Sequence, residues 1–159
     1  MKKLLVIISL VTLFFSLSGG VASAYGKYGK DSAQCVGYLN FYKDYLKQAN
    51  MAEAATQWRG ALKYCPPKAS QNFYVDGRKI YKQLIAKSGS NAQLRESLID
   101  TLMMIHKTRM ENFPKSVKAS TENIAYDMLA YYKNSAPEKV LAAIEDVVAL
   151  TGNQTKAPL

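Results

Sequence analysis

Few side chains in this 159-residue chain can do chemistry: one histidine, His106, two cysteines, Cys35 and Cys65, and twelve acids. A zinc site takes three or four N, S or O ligands. His106 stands alone in Met103-Met104-Ile105-His106-Lys107, with no second His for a ligand pair. The cysteines lie far apart and form no Cys-x-x-Cys, so thiol redox catalysis is not suggested. Glu145 and Asp146 are neighbours on a solvent face, not opposed across a cleft as a catalytic acid–base pair must be. The sequence has no Gly-rich phosphate loop, nucleophile elbow or EF-hand loop. The expectation is a protein without catalytic residues, metal or cofactor.

The elements that must position these residues read as helices, and no segment reads as strand. From Ala33 to Gln48 the apolar residues Tyr38, Phe41, Tyr42, Tyr45 and Leu46 fall at steps of three, four and seven, one face of a helix. Asp31 or Ser32 can cap it, since a short side-chain oxygen accepts a free backbone N–H. Asn50 is a plausible turn residue before a return helix from Met51 to Tyr64, with Ala54, Trp58, Ala61 and Leu62 inward. Pro66-Pro67 stops it, because proline lacks the N–H and clashes with the preceding turn.

A second pair follows. Ser70 can cap a helix to about Lys87 with Phe73, Gly77, Ile80 and Leu84 in one stripe. Asn91 caps the next, where Leu94, Leu98, Leu102 and Ile105 recur until Phe113-Pro114. A third pair spans about Lys118 to Lys133 and Pro137 to Leu150. Its last stripe is Val140, Leu141, Ile144, Val147 and Val148, with Gly152 as stop. This last helix has no obvious polar capping face.

At the front, Lys2 and Lys3 precede an apolar run from Leu4 to Leu17 that ends in Ala22-Ser23-Ala24. That is the layout of a secretory signal peptide, with cleavage expected after Ala24. The run is shorter than the roughly 20 residues of a spanning helix. The expected organisation is a signal peptide at 1–24, a flexible leader at 25–32, a helical domain at 33–152 in pairs of about 33–68, 69–115 and 116–152, and a flexible tail at 153–159. The expected location is the periplasm or envelope of a Gram-negative bacterium, with the mature chain not spanning the membrane. Lys and Arg outnumber Asp and Glu by 21 to 12, a formal net charge of +9. Export argues against nucleic acid and leaves envelope polymers, lipid head groups and acidic proteins as counterparts. The Lys residues are scattered, so the charge also reads simply as a solubility device.

The first pair carries a familiar pattern. Tyr38-x2-Phe41-Tyr42-x2-Tyr45, then Ala54-x3-Trp58, Ala61 and Pro66, resembles the tetratricopeptide repeat (TPR). Tyr45, Ala54, Ala61 and Pro66 carry the expected type, and Tyr38, Phe41 and Trp58 are same-class substitutes. Tyr42 departs, since the pattern wants Gly there, and a large ring should widen the local packing. The second pair fits loosely around Phe73, Gly77 and Ile80, with Asp76 replacing an apolar residue. The third matches only in helix length and spacing. The resemblance implies an all-α solenoid of stacked antiparallel helix pairs, about six helices, with the eight pattern residues in the repeat core.

Cys35 opens the first helix of this hairpin and Cys65 closes the second, so the two lie side by side in an antiparallel pair. In an oxidising compartment they should form a disulfide; the alternative is two buried thiols. Asp31-Ser32-Ala33 looks like an O-glycosylation signal of some bacterial envelopes, placing a candidate modification at Ser32 rather than Thr101.

In the TPR family the first helix of each pair lines a groove that holds extended peptides. The resemblance puts Leu39, Lys43, Leu46 and Lys47 there, and more loosely Tyr74, Arg78, Tyr81 and Lys82. It implies a non-enzymatic adaptor for an envelope protein or peptide, acidic by charge complementarity. The alternative is a basic helical module on an anionic envelope polymer or lipid.

Overall fold

The computed structural model describes residues 26–152. The expected signal peptide, with its expected cleavage after Ala24, and residues 153–159 lie outside the described residues. The protein is all-α, and there is no strand among the described residues. The described residues form six α-helices in order: α1 (Ser32–Lys47), α2 (Met51–Tyr64), α3 (Gln71–Lys87), α4 (Ala92–Asn112), α5 (Val117–Tyr132) and α6 (Pro137–Thr151). A 3-10 turn at Pro114–Ser116 joins α4 to α5. The helices pack in sequence order: α1 on α2, α3 on α4 and α5 on α6 within pairs, and α2 on α3 and α4 on α5 between them.

Local chemistry sets most of the ends. The side chains of Asn50 and Asn91 accept from the backbone N–H of Glu53 (3.3 Å) and Leu94 (2.9 Å), satisfying donors that α2 and α4 leave free. Asp31 and Ser70 occupy the N-cap positions of α1 and α3, but neither side chain makes a capping bond. Between α1 and α2 the left-handed residue is Ala49, at φ +55°, not its neighbour Asn50. Pro137 opens α6, where a missing N–H costs nothing.

Aromatic rings join the first two pairs. Trp58 of α2 is fully buried, its indole stacked on Phe73 of α3 at 4.7 Å between centroids, and its Nε1 donates to the Phe73 carbonyl at 2.9 Å. Tyr81 meets the indole edge-on, and Tyr42 of α1 meets Phe73 likewise. Gly77 lies under the indole, where an added Cβ would come within 2.7 Å of the ring. The glycine is needed for that close approach, not for a special backbone angle.

Two departures from the repeat pattern compensate each other. The Tyr42 hydroxyl donates to the Asp76 carboxylate at 2.9 Å, so the ring where the pattern wants Gly and the acid where it wants an apolar residue form one link between α1 and α3. Among the other pattern residues, Ala54, Trp58 and Ala61 are buried, and Tyr38, Tyr45 and Pro66 are half-buried. Phe41 is not in the core; it is 55% exposed.

Cys35 and Cys65 are bonded, with Cα atoms 4.8 Å apart. Just ahead of α1, Tyr28 packs against the core and Gly29 (φ +74°) lies against the Pro66 ring. This part of the leader is therefore seated, where the sequence suggested a free segment.

The third pair adds a small cluster, Ala125, Ala143 and Val147 with Ile124, Met128 and Ile144 around it, while its Tyr132 and Val140 belong to the main core. Two predicted stripes turn out rotated. In α4 the buried residues are Ile99, Leu102, Ile105 and His106, and Leu94 is exposed. In α6 they are Val140, Ala143 and Val147, and Leu141 and Val148 face outward.

Candidate functional site

The eight residues expected to line a groove do not form one surface. Leu39, Tyr74 and Tyr81 are buried in the core. The buried face of α3 is wider than a Phe73-Gly77-Ile80-Leu84 stripe, taking in Tyr74, Tyr81 and Ile85. Both rings keep their hydroxyls satisfied there: Tyr74 donates to the Pro67 carbonyl at 2.9 Å, and Tyr81 accepts from Arg59 at 3.3 Å. Burial, with Glu111 nearby, pushes the Tyr74 hydroxyl above its ordinary pKa. Leu46 is half-buried against the core. Lys43 and Lys47 remain exposed on α1. The Lys43 ammonium lies 6.0 Å from the centre of the Tyr42 ring, and Lys47 pairs weakly with Asp44 at 3.4 Å.

Arg78 and Lys82 converge on a residue the sequence reading passed over. Asp127 of α5 has a side chain with no solvent exposure. Arg78 holds it bidentately, Nε and Nη2 each at 2.9 Å, while Lys82 Nζ adds a contact at 2.8 Å and His106 Nε2 one at 3.0 Å. Burial alone would raise the Asp127 pKa, but the hydrogen bonds from His106, Arg78 and Lys82 outweigh it and bring the value down to about 2. The carboxylate is thus ionised and fully occupied, which leaves it no capacity as a general base. Arg109 stands close to Arg78, and burial and that neighbour lower its pKa.

The hub ties α3, α4 and α5 together. Two more links flank it: Tyr132 donates to Glu96, and Arg95 donates to the Tyr131 carbonyl at 3.3 Å. Burial and the Glu96 carboxylate push the Tyr132 hydroxyl up to about 12. One sequence signal pointed to Asp127: it is the sole acid in Ile124-Ala125-Tyr126-Asp127-Met128-Leu129-Ala130, a run otherwise apolar or aromatic. His106, two residues after Met104, is buried as its partner on α4.

Other candidates have plain placements. Ser32 is exposed in the first turn of α1, and the Thr101 hydroxyl donates to the Ser97 carbonyl one turn back in α4. A small apolar cavity of about 40 Å³ lies beside Cys65, Pro66 and Phe73. Among the described residues no cluster of His, Cys, Asp and Glu is placed to hold a metal, and no helix is long and apolar enough to cross a membrane.

What the arrangement supplies is a set of packed helices with exposed cationic side chains on α1 and a charged junction that links α3, α4 and α5. Comparison with family models, with curated proteins and with solved structures returns no match for this chain.

Proposed function

We propose that this chain is a non-enzymatic, exported scaffold of TPR-like stacked helix pairs that holds a peptide or protein of the bacterial envelope. One observation carries the reading. The first helices of successive pairs are linked to each other, α1 to α3 through Tyr42–Asp76 and α3 to α5 through Arg78–Asp127. Such links fit a stack in which α1, α3 and α5 form one wall. The Cys35–Cys65 bond supports an oxidising compartment.

The binding surface in this proposal is smaller than the sequence suggested. Leu39, Tyr74 and Tyr81 serve the core, and Arg78 and Lys82 are engaged by Asp127. Lys43 and Lys47 remain exposed on α1, and α3 adds the exposed Lys79 with Val75, also exposed, one turn before it. Cations of this kind favour an acidic segment and speed its encounter.

The test is a charge reversal. Lys43→Glu with Lys79→Glu should leave helix content and melting unchanged while abolishing co-purification of the partner captured by the wild-type protein from an envelope extract. Equal capture by the variant would reject this surface.

A further inference from the structure

The two ends of the helix series expose large apolar side chains. On α1, Phe41 is 55% exposed and Val36 is also exposed. Gly37, with no side chain, leaves a shallow depression beside Phe41, lined by Ala33, Gln34, Gly37, Tyr38 and Phe41. On α6, Leu141 is 58% exposed and Val148 47%. They are seven residues apart, two turns along one side of the helix.

The chain itself shows what such faces accept. Twice, the second helix of one pair packs on the first helix of the next, α2 on α3 and α4 on α5. Among the described residues, α6 is a second helix with no following pair, and α1 is a first helix with no preceding one. The charges match as well. Glu138 and Glu145, both exposed, sit three residues before and four after Leu141, on its side of α6. At the other end, Tyr38 of the depression stacks on Tyr64 at 5.5 Å, and the Lys63 ammonium lies 5.0 Å from the Tyr64 ring. Lys30 is three residues ahead of Ala33, exposed just before α1.

We propose that copies of this chain associate head to tail, α6 of one on α1 of the next, with Leu141 and Val148 against Phe41 and its depression and Glu138 and Glu145 facing Lys63 and Lys30. The contact is heterologous: each copy uses one surface to give and another to receive. It therefore leaves a free surface at both ends and produces a series of oligomers, not a closed dimer. The inference stands independently of the peptide-binding surface on α1 and α3.

Sedimentation velocity tests it. The purified protein at low salt should show dimers, trimers and higher species rising with concentration and falling as salt screens the charges. Phe41→Lys blocks the receiving end and Leu141→Lys the giving end; Val148→Lys is a second block of the giving end. Each variant alone should be monomeric, with the circular dichroism and melting of the wild type. An equimolar mixture of Phe41→Lys and Leu141→Lys should form a 1:1 dimer that does not grow, since one good surface of each kind remains. A wild-type protein that stays monomeric at high concentration overturns the proposal. So does a wild-type dimer that Phe41→Lys leaves intact, which would mean α6 pairs with itself. A third overturning result is a mixture that stays monomeric while the wild type associates.

Discussion

Trp58 and Asp127 hold comparable places in the molecule, each buried where one helix pair meets the next, and each stabilises its junction by opposite means. Around Trp58 the contact is a stack of rings closed by one indole hydrogen bond, with Gly77 giving the room. Around Asp127 it is a carboxylate gripped by Arg78, Lys82 and His106. The ring junction draws on buried area and shape, which change little with pH or salt. The charged junction draws on partners that must all be present. A buried ion pair adds little net stability over a hydrophobic replacement, yet removing one partner strands the others. The first two pairs should therefore behave as a robust block, and the third as a unit attached conditionally.

The largest effects test the robust block. Trp58→Ala removes the centre of the aromatic stack and should cost about 3–5 kcal/mol in denaturant unfolding. Its midpoint shift should be the same at low and high salt; strong salt dependence would blur the distinction between the junctions. Next comes the covalent clamp. Cys35→Ser with Cys65→Ser opens a loop of 30 residues and should lower stability by about 3–4 kcal/mol in the chain-entropy model. The loss should appear in a thermal melt without any change in how the third pair responds to acid.

Acid addresses the other junction. The Asp127 carboxyl is held at about 2, below its ordinary value of 3.8. A depressed folded pKa stabilises above the unfolded value, and the stabilisation disappears as pH falls through the folded one. The hub should thus contribute about 2 kcal/mol at neutral pH and lose it between roughly pH 4 and pH 2. Circular dichroism titration of the wild type against Asp127→Asn should show that acid-labile component only in the wild type. The smallest expected effect concerns the turn within the first pair: Ala49→Gly relieves a left-handed backbone and should raise stability by about 1 kcal/mol, read from the melting midpoint.

What could be read from the sequence follows this same division. Helix positions were legible because apolar spacing and Pro stops act locally, as at Pro66-Pro67 after α2. The cysteine pairing was legible because a short antiparallel hairpin brings its two outer ends together. The width of the buried face of α3 was not, since a tyrosine can bury its ring and still satisfy its hydroxyl, as Tyr74 and Tyr81 do. Asp127 was missed for a non-local reason: Arg78 and Lys82 are 49 and 45 residues away in the chain, and only packing brings them together. Tyr42 and Asp76, each read as a local irregularity, become one contact only when α1 and α3 are side by side. The groove on α1 and α3 was over-read because family position stood in for burial.

Native-state hydrogen exchange of Asp127→Asn at neutral pH tests the division most directly. The amides of α5 and α6 should lose protection while those of α1, α2 and α3 keep theirs, because only the charged junction has been cut. Uniform loss of protection across all six helices, or no loss in α5 and α6, would contradict the account.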